Sequence, residues 1–306
     1  MTLIVNIPTY EGIVVAADSK QVQTQNGMLM RASTNITKIF EINNKTIASL
    51  AGLAFFERTP GRYDNVADYI NEYAQTTDDT TTVKEIAQGL YQYILDRYPI
   101  EKQMEIAEET LKTQAAMAGD EIISITRFCQ SLKFKAQDNE GNIKEGYYNL
   151  EPVNIMVSGY NENNETEVYE MRIPGSIELK RGPNDYGCTW IGQGDVVARL
   201  VLGYDGRMLN TPIFQEILQT HSQEELIGQI RNVEYNVSWN LLPLQDAIDM
   251  AVFLIKTTET MQKFSCGIIG ENTEIPAVGG PIDVAVITKN DGIKWINRKE
   301  PYFPDE

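Results

Sequence analysis

The amino-acid sequence predicts an α+β fold, namely a four-layer αββα sandwich in which helices flank antiparallel sheets. Three observations indicate this fold. β-rich runs come in neighbouring pairs joined by short turns, two groups of segments place apolar residues at helical spacing, and the order along the chain is strands, helices, strands, helices, strands. A parallel sheet would instead alternate single strands with helices. Because no long polar linker or internal repeat divides the sequence, residues 1–306 are predicted to form a single domain.

The first fifty residues are predicted to form consecutive hairpins. Runs rich in β-branched and other apolar residues occupy positions 2–7, 12–17, 38–42 and 46–50. Polar segments with turn-forming residues, at 8–11 and 43–45, separate the members of each pair. β-branched side chains favour an extended backbone, so adjacent runs should pair as antiparallel strands.

Three helices are predicted next. In the first, apolar and aromatic residues share one helical face: Val66, Tyr69, Ile70 and Tyr73. Thr82 and Glu85 form a capping box at the start of the second helix, which ends before Pro99. A third, more exposed helix is expected over residues 101–117, where Gly119 follows its end.

Strand signals return between residues 122 and 190. The clearest runs are 153–157, 167–173 and 188–191, with 161–164 as a hairpin turn. Four helical segments follow at 195–204, 211–218, 223–230 and 244–261. The last contains an apolar stripe that should be buried: Leu244, Ile248, Ala251, Val252 and Ile255. A final hairpin is predicted from runs 282–288 and 293–296, and the tail 301–306 should be loose.

The charge balance and apolar patterning exclude several classes of partner. The chain has 26 Lys and Arg residues against 43 Asp and Glu residues, which gives a formal charge of −17. Such a chain repels nucleic acid phosphates and anionic lipid headgroups, so neither nucleic acid nor membrane is an expected partner. The longest apolar run, 250–255, is too short to cross a bilayer, and no signal peptide begins the sequence. We therefore expect a cytoplasmic location.

Cysteine and histidine usage excludes other chemistry. Cys129, Cys188 and Cys266 lack C-x-x-C spacing and are predicted to be free thiols. The single histidine, His221, precedes a capping box of Ser222 and Glu225 and is predicted to lie on the surface. Catalysis that depends on a well-placed imidazole is therefore not expected.

No cofactor or metal site is predicted. The glycines of residues 192–194 precede a helix, but the third glycine and the lysine of nucleotide-binding loops are missing, which indicates a tight sheet-to-helix turn. The acidic residues Glu105, Glu108 and Glu109 lack the alternating oxygen ligands of a calcium loop and indicate a solvated helix face.

Four residues near the amino terminus carry the predicted chemistry. Thr2 begins the first β-run, Asp18 closes the second, Lys38 begins the third, and Gly52 follows the fourth. In their order and approximate spacing they resemble the proteasome β-subunit family and its bacterial relative HslV, which are amino-terminal nucleophile (Ntn) hydrolases. The resemblance is strongest over the first 55 or so residues and continues weakly to the end of the chain.

The resemblance implies a role for each of the four. Thr2 would be the nucleophile after removal of Met1, Asp18 and Lys38 would support it, and the amide of Gly52 would form the oxyanion hole. The underlying chemistry is independent of the family. A threonine hydroxyl needs a base, and an α-amine with an ordinary pKa of about 7.7–8.0 can serve at neutral pH. A glycine lets a substrate carbonyl approach the backbone closely.

The chain departs from the family pattern at three places. Gln193 replaces the serine of a Gly-Ser-Gly-Ser motif, Val278 replaces a serine before Gly-Gly, and Ile275 replaces an aspartate. The chain is also longer than a typical proteasome subunit, and we assign the extra segment to residues 101–183. Two functions therefore stay open: a threonine-type peptidase or amidase, and a non-catalytic proteasome-like subunit of an oligomeric assembly.

The resemblance also shapes the partner predictions. The expected substrate is a peptide or a small amide, and an ATPase or regulator partner is left open. We predict a homo-oligomer whose contacts include tyrosine-rich helices, because aromatic residues are enriched at interfaces. The alternative is a monomer in which these side chains pack inward: Tyr63, Tyr69, Tyr73, Tyr91, Tyr93 and Tyr98.

Overall fold

The computed structural model describes residues 2–25, 28–59, 61–265 and 277–300, and the side chains at 23–31 and 233 are outside its description. Its α-helices are α1 (Val66–Ala74), α2 (Val83–Leu95), α3 (Ile100–Ala118), α4 (Asp195–Leu202), α5 (Pro212–Ile217), α6 (Gln223–Ile230) and α7 (Leu244–Phe264). Its strands are β1 (Leu3–Pro8), β2 (Ile13–Ala17), β3 (Gln21–Gln25), β4 (Met28–Ser33), β5 (Ile39–Asn43), β6 (Thr46–Gly52), β7 (Phe55–Thr59), β8 (Arg62–Asn65), β9 (Glu121–Arg127), β10 (Ser131–Gln137), β11 (Ile143–Asn149), β12 (Val153–Tyr160), β13 (Thr166–Ile173), β14 (Ile177–Arg181), β15 (Thr189–Gly192), β16 (Asp283–Thr288) and β17 (Gly292–Asn297).

Two five-stranded sheets organise the chain. The first sheet has the order β15-β1-β2-β16-β17, and the second sheet has the order β14-β13-β12-β6-β5. All neighbours in both sheets are antiparallel. In the first sheet Leu3 pairs with Gly192 and Ile4 pairs with Ala17. The α+β class with antiparallel sheets that the sequence predicts is therefore confirmed.

Alternate residues of each central strand face different layers. In β1, Leu3 and Val5 pack in a cluster with α7, whereas Ile4 joins a cluster with Ile47 and Met156 of the second sheet. The second sheet buries its other face against α1, α2 and α3. The sheets therefore pack face to face, with helices against the outer face of each. Because both faces are covered, the run of residues in β1 is buried throughout.

The predicted helix signals largely match the helices observed. The capping boxes at Thr82 and Ser222 both form, and Gly119 ends α3 in the left-handed conformation. The buried stripe of α7 differs in part, since Leu244 and Val252 are only half-buried. The residues buried on this face are Ala247, Ile248, Ala251, Leu254, Ile255 and Thr258, which follow the helical repeat more closely.

Some strands were not predicted. β7 and β8 form a two-stranded sheet whose sequence has few apolar residues, so no alternation marks it. Strands β9 to β11 form a separate three-stranded sheet beside α3, within the segment that we assign as extra. The hairpins β1–β2, β5–β6 and β16–β17 are those predicted, with their ends shifted by one or two residues. The tail 301–306 lies outside the described residues.

The tyrosines around the first two helices pack mostly within the chain itself. Tyr98 is buried, and Tyr63 is exposed. The remaining four are half-buried: Tyr69, Tyr73, Tyr91 and Tyr93. Their inward packing was the alternative to an interface role, so these helices offer a smaller aromatic surface than the sequence suggested.

Candidate active site

Elements of both sheets meet at one cavity. Thr2, just before β1, and Gly52, at the end of β6, line the same cavity of about 400 Å3, together with the β15–α4 turn. Thr2 is 6% exposed. The predicted nucleophile and the predicted oxyanion glycine therefore lie at one end of the space between the sheets.

The other two predicted residues do not line this cavity and instead form a buried ion pair. Lys38 Nζ lies 2.8 Å from Asp18 Oδ1, and it also donates to the carbonyl oxygen of Lys20 at 2.5 Å. Both side chains are buried. Asp18 further accepts hydrogen bonds from the backbone amides of Leu3 at 2.9 Å and Gly279 at 3.0 Å. Asp18 thus connects Lys38 to the residue that follows Thr2.

A second buried ion pair influences the first. Lys299 Nζ contacts Asp283 Oδ2, and the Lys299 backbone amide donates to Asp283 Oδ1 at 2.8 Å. The pKa of Lys38 is lowered, chiefly because burial disfavours the charged ammonium; Asp18 opposes this effect, and the charges of Lys299 and Asp283 add smaller opposing effects. Sequence reasoning missed this pair, because its members are charged residues near the far end of the chain with no local pattern.

The turn between β15 and α4 holds the backbone of Thr2. The Gln193 amide donates to the Thr2 carbonyl oxygen at 2.7 Å. Gly192 has a φ of +92°, and a Cβ there would lie 1.8 Å from the same oxygen, so only glycine fits. The tight sheet-to-helix turn predicted at residues 192–194 is confirmed.

The Gln193 side chain joins a network that sequence reasoning did not find. Gln262 on α7 donates through Nε2 to Gln193 Oε1 at 2.7 Å. Gln262 Oε1 accepts from the backbone amides of Ala277 and Val278 at 3.1 and 3.0 Å. The next residue, Gly279, donates to Asp18. This network (Gln193, Gln262 and the amides of 277–279) therefore links both sides of the Thr2 segment.

Two of the three departures from the family pattern lie within the described residues. Gln193 keeps a polar role through its amide, as above. Val278 is 2% exposed and packs in the apolar cluster between the first sheet and α7, so no hydroxyl replaces the family serine there. Ile275 lies outside the described residues.

Gly52 sits where another residue would clash. Its φ is +74°, and a Cβ would lie 2.4 Å from the Pro152 carbonyl oxygen and 2.9 Å from Asn154 Nδ2. Glycine is therefore required on both conformational and steric grounds. Asn154 also lines the cavity, and sequence reasoning did not single it out because nothing local marks one asparagine in a strand.

Charged residues surround the cavity. The cavity is lined by Glu151, Asp195 and Arg207. Asp195 and Arg207 also line a neighbouring cavity of about 520 Å3. Arg207 donates to Asp195 at 3.1 Å and to Asp205 at 3.0 Å. Glu151 is exposed, yet the protein atoms around its carboxyl raise its pKa.

The remaining predicted features lie elsewhere. His221 is exposed, as predicted. Cys129 and Cys188 are free thiols, and burial raises the pKa of Cys188 to about 12, while Cys266 lies outside the described residues. Within the part of the chain described, no group of three His, Cys, Asp or Glu side chains is placed to hold a metal ion. No described helix is both long and apolar enough to cross a membrane.

Comparison with known proteins gives no assignment: no protein-family model matches the sequence, and no curated protein matches it significantly. The features of the chain that bear on its function are therefore the geometry of the cavity and of the buried ion pairs.

Proposed function

We propose that this chain is a threonine-type amide-bond hydrolase, acting on a peptide or a small amide, with a fold of the Ntn-hydrolase type. The observation that carries the proposal is the placement of Thr2 and Gly52 on one cavity, with the buried Asp18–Lys38 pair hydrogen-bonded to the amide next to Thr2. Each residue alone is common in proteins. Their convergence from four separate strand ends onto one place supports catalysis.

The proposed reaction begins once Met1 has been removed. The α-amine of Thr2 takes the proton from Thr2 Oγ, which attacks the substrate carbonyl carbon and forms a C–O bond. The carbonyl electron pair moves to oxygen, where the Gly52 amide is the proposed donor. Collapse of this intermediate breaks the C–N bond, and the leaving amine takes the proton. Water then cleaves the ester by the same route.

Lys38 supplies positive charge to the proposed site, and Asp18 holds Lys38 in place. The Lys38 ammonium, paired with Asp18 at 2.8 Å, supplies a fixed positive charge that favours the developing alkoxide. The same charge keeps the nearby α-amine unprotonated by repulsion. Because four donors hold Asp18, its orientation is set before substrate binds: Leu3 N, Lys20 N, Gly279 N and Lys38 Nζ.

A hydrolysis assay with matched variants tests the proposal. A library of peptide and small amide substrates is incubated with wild-type protein whose loss of Met1 has been verified. Thr2→Ser keeps the hydroxyl and is expected to retain activity, whereas Thr2→Val has nearly the same shape but no hydroxyl and is expected to lose it. Both substitutions are small enough to allow removal of Met1.

The same assay decides between the two functions. The buried Val278 favours a non-catalytic subunit, since it leaves an apolar side chain where the family has a hydroxyl. If wild type and Thr2→Val hydrolyse every substrate at the same rate, or hydrolyse none, the hydrolase proposal fails and the structural function is favoured. Thr2-dependent cleavage eliminates the structural function.

A further inference from the structure

Asn154 lies where the space between the sheets opens into the cavity. On β12, Val153, Ile155 and Val157 pack toward α1 to α3, while Met156 packs between the two sheets. Since side chains alternate along a strand, Asn154 shares the inward face with Met156. It lines both cavities, and in the smaller one it shares the lining with Thr2 and Gly52.

The Asn154 amide is close to Gly52 and is available for a ligand. Its Nδ2 lies 2.9 Å from the position that a Cβ on Gly52 would take. No hydrogen bond within the described residues holds this side-chain amide. The residue is half-buried, so the amide is partly shielded from water without being sealed from the cavity. A half-buried donor of this kind gains from a substrate acceptor, because water competes less there than at the surface.

We propose that Asn154 is a catalytic residue whose Nδ2 group donates a hydrogen bond to the oxyanion, alongside the backbone at Gly52. This inference rests on the proposed function. In the step concerned, Thr2 Oγ bonds to the carbonyl carbon while the C=O electron pair moves to oxygen. The carbonyl oxygen gains negative charge only in this step, so a donor aimed at it stabilises the transition state more than the bound substrate.

The first test compares kinetics of three variants. Asn154→Asp keeps the shape but replaces the donor with an acceptor, and Asn154→Ala removes it without adding charge. Loss of one oxyanion donor lowers kcat by about 10²–10³-fold. We expect this loss in both variants, with KM changed by less than about threefold. The matched control is Asn149→Asp, at an exposed position on β11, which should leave both constants unchanged.

The second test uses a peptide boronic acid, which forms a tetrahedral adduct on a threonine hydroxyl. Its affinity should fall in both Asn154 variants by a similar factor to kcat, while the affinity of a non-hydrolysed amide analogue should not change. A structure of the wild-type adduct should place Nδ2 about 2.7–3.1 Å from a boronate oxygen. The structure of the wild-type adduct needs no variant, so it tests the proposal even if the substitutions prevent folding.

The outcomes separate this inference from the function on which it depends. If wild type hydrolyses amides through Thr2 but the Asn154 variants keep its kcat, only the inference is overturned. A boronate oxygen more than about 3.5 Å from Nδ2 would also overturn it. If wild type shows no Thr2-dependent hydrolysis and no boronate adduct, both the proposed function and the inference fail.

Discussion

At the scale of single residues, the site is notable for how many buried charges it contains. Asp18, Lys38, Asp283 and Lys299 are all buried or nearly so, and they form two ion pairs. A buried ion pair is weak evidence for stability, because desolvation offsets much of the Coulomb attraction. Under the proposed function, the Asp18–Lys38 pair supplies charge to the Thr2 segment, which Asp18 reaches through the backbone amide of Leu3.

Removing one partner of the Asp18–Lys38 pair should be far more damaging than removing both. Lys38→Met leaves the Asp18 carboxylate buried without a cation, and we expect the free energy of unfolding to fall by about 3–5 kcal/mol. The double variant Asp18→Asn, Lys38→Met should recover at least half of this loss. Urea denaturation measures both, and Lys84→Met on the exposed face of α2 is the control. Equal destabilisation by the single and double variants would contradict the pairing.

The four predicted site residues could be named because their order and spacing resemble the proteasome β-subunit family, and each of them lies next to a predicted strand end or turn. The sequence does not single out four further residues near the site: Asn154, Gln262, Asp283 and Lys299. Their roles come from partners far away in the sequence, for example 69 residues between Gln193 and Gln262. No periodicity or motif in a single sequence reports such contacts.

At the scale of elements, hairpins and capped helices were predictable because short-range chemistry sets them. The box of Thr82 and Glu85 satisfies free amides at the start of α2, and this pattern can be read within four residues. The strands β7 and β8 could not be read in this way, since Phe55 and Phe56 are adjacent and do not alternate with polar residues, although Phe56 is buried in the core. Their pairing places Phe55 opposite Asn65, and α1 follows directly, with Asn65 as its N-cap.

The network around Gln262 should hold the loops on both sides of Thr2. Gln262→Ala leaves the amides of Ala277 and Val278 buried without acceptors, a cost of about 1–3 kcal/mol each if they stay unsatisfied. We expect faster hydrogen exchange at residues 277–279 and also at Gln193 and Leu3. The control is Gln245→Ala, an exposed glutamine of the same helix. Faster exchange confined to 277–278 would show that the network does not reach Thr2.

The stability that the segment after α4 contributes should depend on pH, because it depends on the ionised carboxylate of Asp205. Burial alone would raise the pKa of this carboxyl, but hydrogen bonds from Arg207 and Arg199 hold it at about 2. A carboxyl whose folded pKa is depressed contributes stability that is complete above its ordinary pKa of 3.8 and is lost as pH falls toward 2.

Asp205→Asn removes this contribution. We therefore expect the variant to be less stable than wild type at pH 6, with the difference shrinking between about pH 4 and pH 2. Denaturation curves at several pH values measure the difference. A constant difference across this range would contradict the role of the ionised carboxylate.

At the scale of the whole molecule, the α+β class and the antiparallel pairing followed from the order of strand and helix signals. The face-to-face packing of the sheets did not follow from any one signal. It arises because β1, β2, β6 and β12 carry apolar residues on both faces, which need cover on two sides. The sequence predicts strands between residues 122 and 190, but it does not predict the separate three-stranded sheet of β9 to β11. The outer strands of this sheet are largely exposed and have no marked apolar face.

We expect the chain to form a homo-oligomer. A chain with a formal charge of −17 needs an interface that gathers apolar and aromatic side chains away from like charges. Sedimentation at micromolar concentration should therefore give a mass well above 34.5 kDa. A mass near that of one chain would show that the tyrosines serve only internal packing.

The chemical state of the amino terminus and its reactivity show whether Thr2 is the nucleophile. Protein purified from its own cell is treated with an epoxyketone, whose two electrophilic carbons bond both the hydroxyl and the α-amine of an amino-terminal threonine. Intact mass and peptide mapping then locate any adduct. We expect a chain without Met1, carrying one adduct on Thr2 that is absent from Thr2→Val. A chain with Thr2 at its amino terminus that forms no adduct would contradict a nucleophilic role for Thr2.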